Sequence, residues 1–355
     1  AASGAIQDQY IVVLKEGANP RSVAAIAGVE PRYVYEAALN GFAGRLNAGQ
    51  LNALQRNPNV AYIEQDQVMK AVATTQTGAT WGLDRIDQRA LPLSTTYSYA
   101  NTGLGVNAYI VDTGIRLSHS EFVGRVSTGF DAVTAGGDAN DCNGHGTHVA
   151  GTVGGTTYGV AKAVNLFAVR VLDCGGSGTT AGVIAGVDWV TANHVKPAIA
   201  NMSLGGGASS SLDAAVQSSI NAGVQYSIAA GNGNLVGIAQ DACKSSPSRV
   251  ADAITIGATT QSDAKTSWSN YGNCVDFFAP GSGITAAWHT SDVATNTISG
   301  TSMAAPHVAG VGALYLQSNP AATPLQVRDA LYDATTKGIV TSSKTANNHL
   351  LFTAY

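Results

Sequence analysis

The chain has 355 residues, 45% of them apolar and 12% charged, with 41 glycines and a net charge of -4. This composition excludes a disordered chain and suits two domains, or one large domain with an appendage. No uninterrupted apolar run is long enough to predict a membrane span, and 19 basic residues against 23 acidic ones, without a run of either sign, give nucleic acid no electrostatic hold.

The chain opens at Ala1 without a charged start and an apolar segment behind it, so a signal peptide is expected to be absent or already removed. Residues 1 to about 72 then read as a small α+β unit: strands over 10–14, 41–46 and 60–64, and a short helix over 48–55 that stops before Asn57-Pro58. Residues 68–80, rich in Thr and Ala, predict an exposed connector. From Trp81 onward apolar β-branched runs alternate with helical segments. Strands are predicted over 106–111, 165–171, 198–202, 225–229 and 253–256, and helices over 146–153, 179–190, 212–222 and 302–317. Such alternation implies a doubly wound, mostly parallel α/β sheet with helices on both faces, and these sheets bind their ligands at the carboxyl ends of the strands.

The residues with chemical potential fall at those ends. Asp112 closes the run 106–111 and precedes Thr113-Gly114; by itself such an aspartate is as readily a turn cap. His145 sits between glycines at the start of a helix, where it can face a cleft, while His148 falls on the helix proper and reads as a packing residue. Ser302 opens an apolar run and alone would read as a helix N-cap. Asn232, in Ala229-Ala230-Gly231-Asn232-Gly233, ends a buried strand with an amide. The combination changes the reading: a serine hydroxyl must lose its proton to a base, the imidazolium that forms must be stabilised, and the oxyanion needs donors such as an amide and a backbone N–H. Cys142, His145 and His148, at spacings of three, also suggest zinc, but no fourth ligand follows at a customary spacing.

The four cysteines, Cys142, Cys174, Cys243 and Cys274, allow three pairings. Sequential pairing would close two loops of similar length, each bridge contributing roughly 3 to 4 kcal/mol, and disulfides favour an oxidising compartment.

The segments Asn143-Gly144-His145-Gly146-Thr147-His148-Val149-Ala150-Gly151 and Gly300-Thr301-Ser302-Met303-Ala304-Ala305-Pro306-His307-Val308-Ala309-Gly310, with the order Asp, His, Ser, closely resemble the subtilisin-like serine peptidases over about residues 81–355. The run from Trp81 to Gln88, that from Ala200 to Gly207 and the cysteine placement are similar to the proteinase K branch, and most to aqualysin-type bacterial enzymes. The resemblance implies a triad of Asp112, His145 and Ser302 with Asn232 in the oxyanion hole, and disulfides Cys142–Cys174 and Cys243–Cys274. It implies a peptide-binding cleft edged by Gly176-Ser177-Gly178 and Ser203-Leu204-Gly205, with a preference for apolar or aromatic residues before the cut. Structural Ca2+ is implied at Asp276 with the carbonyls of Ala251 and Ala253. A second site matches Asp84, Asp87 and Gln88, with Ser94 and Thr96 replacing its further ligands. Asp131 and Asp138 form another acidic pair, which reads more simply as a solvated loop.

Residues 1–72 resemble the inhibitory propeptide of the same family, ahead of a peptidase domain over 73–355. The chain is therefore expected to be a secreted, monomeric endopeptidase zymogen. Its partners are protein and peptide substrates and its own propeptide, and neither nucleic acid nor membrane. Apolar subsites select a cut after Val72, with Val72 and Met69 in the first and fourth pockets; a cut after Ala73 would place Lys70 in the fourth. Two competing readings are a peptide-binding module whose N-terminal unit stays lodged in the cleft, and a metallohydrolase.

Overall fold

The computed structural model describes residues 5–67 and 73–355, and the chain separates into two compact units at Val72/Ala73. The expected cut after Val72, with Met69 and Lys70, lies outside the described residues; Ala73 is exposed and irregular.

The first unit runs β1 (Ala5–Leu14), α1 (Pro20–Ile26), β2 (Tyr33–Tyr35), β3 (Gly41–Arg45), α2 (Ala48–Gln55) and β4 (Val60–Gln67). Its antiparallel sheet has the order β2-β3-β1-β4. Asn19 caps α1, with Pro20 opening it, and Asn47 and Gln50 form a capping box on α2, so the first N–H groups of both helices are satisfied locally. Val12, Leu14, Val23, Phe42, Leu46 and Leu54 fill its core.

The second unit begins with β5 (Thr74–Thr77), α3 (Trp81–Ile86), β6 (Thr96–Tyr99), β7 (Asn107–Asp112), β8 (Val126–Asp131), α4 (His145–Gly154), β9 (Asn165–Arg170) and α5 (Thr180–Asn193). It continues through β10 (Ala198–Met202), β11 (Gly206–Gly207), α6 (Ser210–Ala222), β12 (Gln225–Ala229), β13 (Ser245–Ser246), β14 (Ile254–Thr259) and β15 (Phe277–Pro280). The hairpin β16 (Ile284–Ala287) and β17 (Thr295–Ile298) leads to α7 (Thr301–Ser318) and α8 (Pro324–Ala334). Part of the expected connector is thus a strand: β5 pairs antiparallel with β6, and Thr75 Oγ1 lies 3.1 Å from Ser98 Oγ. Its run of β-branched threonines suits an exposed edge.

Seven strands form one parallel sheet in the order β15-β14-β12-β10-β7-β9-β8. The alternation of β7 divides its neighbours. Ala108 and Ile110 join the core containing Val149 and Val153 of α4 and Val308 and Val311 of α7; Tyr109 and Val111 join the core with Val187 of α5 and Val216 of α6. Two residues beyond Ile110, Asp112 is set on the side of α4 and α7. The chain order reverses around β7, with β9 on one flank and β10 on the other, which opens a crevice at its carboxyl end.

Candidate active site

Asp112 is the fully buried last residue of β7. Its Oδ1 accepts the Thr113 N–H at 2.7 Å and lies 2.7 Å from His145 Nδ1. A carboxylate only accepts, so the imidazole carries its proton on Nδ1 and its lone pair on Nε2. His145 is the first residue of α4, whose N-cap is Gly144 at φ 112. A side chain there would be strained and would meet the rings of Trp288 and His289 at 2.6 Å, so glycine is needed to bring the histidine to the crevice. Burial pulls the His145 imidazole down, but the charge and hydrogen bond of Asp112, and the charge of Asp141, outweigh it and hold the histidine above its ordinary value.

Asp141, which the sequence reading passed over, organises this corner. Its Oδ1 accepts from Thr113 Oγ1, Asn143 N and Gly144 N, and its Oδ2 from the N–H and hydroxyl of Thr147. One buried carboxylate therefore ties the turn after Asp112 to the turn that presents His145. An aspartate just ahead of an Asn-Gly turn is the signal that points to it.

Ser302 is the second residue of α7, and it does not cap the helix as an isolated serine would; Gly300 is the N-cap. The backbone N–H of Ser302 falls in the first turn, where donors have no partner within the helix. Pro306 has no N–H to offer the Ser302 carbonyl, which instead accepts the Ser203 hydroxyl at 2.8 Å. In return, Ser302 Oγ donates to the Ser203 carbonyl at 3.1 Å. The hydroxyl proton is thus directed at the edge after β10.

Asn232 follows β12. Its Oδ1 accepts both the N–H and the hydroxyl of Thr301 at 2.8 Å, and Thr301 Oγ1 accepts the Gly231 N–H at 3.0 Å. Two donors on one oxygen fix the amide orientation, leaving Nδ2 as the free donor. That Nδ2 lies close to Gly300, where a Cβ would meet it at 3.3 Å.

Two adjoining cavities share residues 204–207. One, of about 390 Å³, is lined by His145, Gly176, Ser177, Gly178, Ser203 and Leu204, among others, and so contains both expected cleft edges, since Gly205 is in the shared segment. The other, of about 610 Å³, holds Asn232, Thr301 and Ser302.

The cysteines form Cys142–Cys174 and Cys243–Cys274. The first joins the turn before His145 to the segment leading into Gly176, where Asn143 Nδ2 also donates to the Cys174 carbonyl at 3.0 Å. Cys142 is therefore no thiolate ligand. His148 is no ligand either: it is buried, its Nε2 lies 3.0 Å from the Ile284 carbonyl and 3.2 Å from that of Asn296, and burial lowers it to about 4. It packs the β16–β17 hairpin onto α4.

Among the described residues no three His, Cys, Asp or Glu side chains gather to hold a metal. Asp276 accepts the Thr255 N–H at 2.7 Å, and burial pushes its carboxyl up to about 6. The Ala251 carbonyl accepts from Arg328 Nη1 at 2.8 Å, while the Ala253 carbonyl follows close in the chain. Asp84 has both oxygens engaged, by Ser94 N–H and hydroxyl and by the Thr95 N–H. Asp87 accepts from Ser98 N–H but keeps a buried Oδ1 without a partner, and burial pushes it up to about 6. Gln88 turns its Nε2 to the carbonyls of Ala90 and Pro92, and Ser94 and Thr96 bond each other through their hydroxyls. Asp131 departs from the solvated reading: it is buried, accepts the N–H groups of Val133 and Thr134 and pairs with Arg170 at 3.3 Å. Asp138 is exposed.

The crevice, the Asp112–His145 pair and a helix-borne serine together define a serine hydrolase on a doubly wound sheet. The subtilase family model matches residues 103–352, and the peptidase inhibitor I9 model matches residues 9–71. The chain belongs to the subtilase family: it is a subtilisin-like serine peptidase with an inhibitor-type propeptide ahead of the enzyme. Among its relatives, the extracellular serine proteinase of a Thermus species is 56% identical, across 100% of this chain and 91% of that protein. The alkaline serine exoprotease A of Vibrio alginolyticus is 50% identical, across 98% and 68%. The crystal structure of a cold adapted subtilisin-like serine proteinase matches with a TM-score of 0.75 and 54% identity, covering 79% of this chain and 100% of that one.

Proposed function

We propose that the chain is the zymogen of a secreted endopeptidase in which Ser302 is acylated by a peptide carbonyl. His145 Nε2 takes the Ser302 proton, and Asp112 holds the resulting imidazolium in place. Asn232 Nδ2 and the Ser302 N–H receive the oxyanion, and His145 then returns its proton to the leaving amine. Water deacylates the serine by the same route in reverse. The observation that carries this reading is the 2.7 Å contact of Asp112 with His145 at the edge of the cleft, because it leaves the Nε2 lone pair free for the nucleophile. The segments 176–178 and 203–205 suit an extended peptide added as a strand between them, with apolar or aromatic side chains preferred before the cut.

Residues 1–72 act as foldase and inhibitor, and self-cleavage after Val72 separates them from the enzyme over 73–355. The working protein is a monomer acting on proteins and peptides, and its extracellular setting accords with the names of its relatives and with its two disulfides. Asp276 and the carbonyls of Ala251 and Ala253 suit a structural Ca2+: burial outweighs the Thr255 N–H and the charge of Arg328 and still pushes the carboxyl up to about 6, and oxygen donors suit a hard cation. Such an ion would neutralise Asp276, with Arg328 retaining Asp252 and Asp329 as partners. The set of Asp84, Asp87 and Gln88 fits less well, because Asp84 is already satisfied and only Asp87 has an orphaned oxygen.

Incubation at raised temperature followed by casein digestion tests the reading. The expected result is proteolysis by a fragment whose N-terminal sequence starts at Ala73. Lasting inactivity with both units intact would favour a permanently blocked peptide binder, and a start at Thr74 or later would reject the cut after Val72.

A further inference from the structure

The cavity around Ser302 and Asn232 has a rim that the catalytic assignment leaves unused. Residues 233–238 read Gly-Asn-Leu-Val-Gly-Ile, and Leu235, Val236 and Ile238 are 108%, 76% and 60% exposed. This apolar tip is held in a closed turn. Asn234 N–H donates to the Ile238 carbonyl at 2.9 Å, Gly237 N–H to the Asn234 carbonyl at 2.8 Å, and the N–H groups of Val236 and Ile238 to Asn234 Oδ1. The base of the turn is clamped by buried Asn270: its Oδ1 accepts from Gly233 and Gln240 N–H, and its Nδ2 donates to the Ala230 carbonyl in the cavity wall. Three apolar side chains are thereby fixed in water at a place where their covering by an apolar group is favourable.

Of the three, Leu235 lines the cavity, and the lining as a whole contains no acidic or basic residue. Glycines at 205–207 leave one wall without side chains, and a Cβ at Gly206 or Gly207 would meet nothing within 4 Å. A carbonyl attacked by Ser302, with its oxygen toward Asn232, has its own residue's side chain as the nearest occupant of this space. We infer that Leu235 is a specificity-determining residue that closes over a large apolar side chain on the residue whose carbonyl is attacked. This rests on the proposed role of Ser302. A phenylalanine there reaches the rim and covers Leu235; an alanine does not.

The test compares kcat/KM for peptides differing only in Phe, Ala or Lys before the cut, using processed enzyme and its Leu235→Ala, Leu235→Asp and Val236→Ala variants. Leu235→Ala is expected to lower the Phe-to-Ala ratio about 3 to 10-fold, less than the roughly 10-fold or more of a methylene enclosed in a pocket, because Leu235 stands at an exposed rim. Leu235→Asp is expected to lower it further and to raise Lys relative to Phe about 10-fold at low salt, an effect that salt weakens. Val236→Ala is expected to change neither ratio. The Ser302→Ala variant, trimmed of residues 1–72 by added parent enzyme and repurified, separates the two claims: activity that persists without the hydroxyl overturns the catalytic assignment. Activity that vanishes, with a Phe-to-Ala ratio unchanged in both Leu235 variants or equally altered in Val236→Ala, overturns Leu235 alone.

Discussion

His145 and Asn232 each have one end fixed by the protein and the other left for chemistry. For His145 the fixed end is Nδ1 against Asp112, which holds the imidazole above its usual value. The base must be neutral to accept a proton, so kcat/KM is expected to rise with pH through a midpoint above 6.5, the unperturbed histidine value. In Asp112→Asn the charge that raises the histidine is gone and the amide favours the wrong tautomer. The midpoint should move down and kcat should fall roughly 10⁴-fold, as pH profiles on a peptide substrate would read. A parent midpoint below that of free histidine would contradict this electrostatic account. For Asn232 the fixed end is Oδ1 on Thr301, and Nδ2 is the donor proposed for the oxyanion. Asn232→Ala should lower kcat about 100 to 1000-fold with KM little changed; steady-state kinetics showing a KM effect alone would reject the oxyanion role.

Most of the longer elements of the second unit were legible because they are long apolar runs; α8, Pro324–Ala334, which mixes charged and apolar residues, was not. The helix predicted over 302–317 is α7, Thr301–Ser318, and that over 146–153 is α4, His145–Gly154. Strands 198–202 and 225–229 fall where alternation ends in a glycine-rich turn. What escaped was short or polar. Edge strand β15 ends in Pro280, β17 is mostly Thr and Asn, and α1 has only 7 residues. The proposed triad positions were singled out by their motifs, but the turn of Ser302 Oγ to Ser203 and the bond of Thr113 to Asp141 join residues far apart in sequence. Arg85 of α3 escaped for the same reason. It is fully buried, paired with Asp263 at 2.8 and 3.1 Å and donating to the Gln88 carbonyl at 2.7 Å. Asp263→Ala leaves that guanidinium buried without its counter-charge and is expected to cost about 3 to 5 kcal/mol. Urea unfolding in a Ser302→Ala background, which prevents self-digestion, reads the loss; a variant as stable as its parent would refute it.

Across the whole molecule, covalent and ionic braces sit on the loops around the crevice as well as in the cores. The bridge Cys142–Cys174 ties the His145 turn to a cleft edge, and Cys243–Cys274 runs from two residues before Ser245, in the wall of the Ser302 cavity, to within two residues of Asp276. If Ca2+ neutralises Asp276, adding it to the Ser302→Ala chain should raise Tm, by the equivalent of about 2.7 kcal/mol at one hundred times Kd, and Asp276→Asn should abolish the rise. A rise of equal size in that variant would put the ion elsewhere. The central claim is that the fold brings Asp112, His145, Asn232 and Ser302 together to make one serine nucleophilic. Covalent labelling of the processed, folded enzyme with a serine-directed phosphonate, followed by peptide mapping, tests it most directly. The account predicts a single adduct on Ser302 that is lost in His145→Ala trimmed of residues 1–72 by added parent enzyme; failure to label Ser302 while peptide hydrolysis proceeds would contradict it.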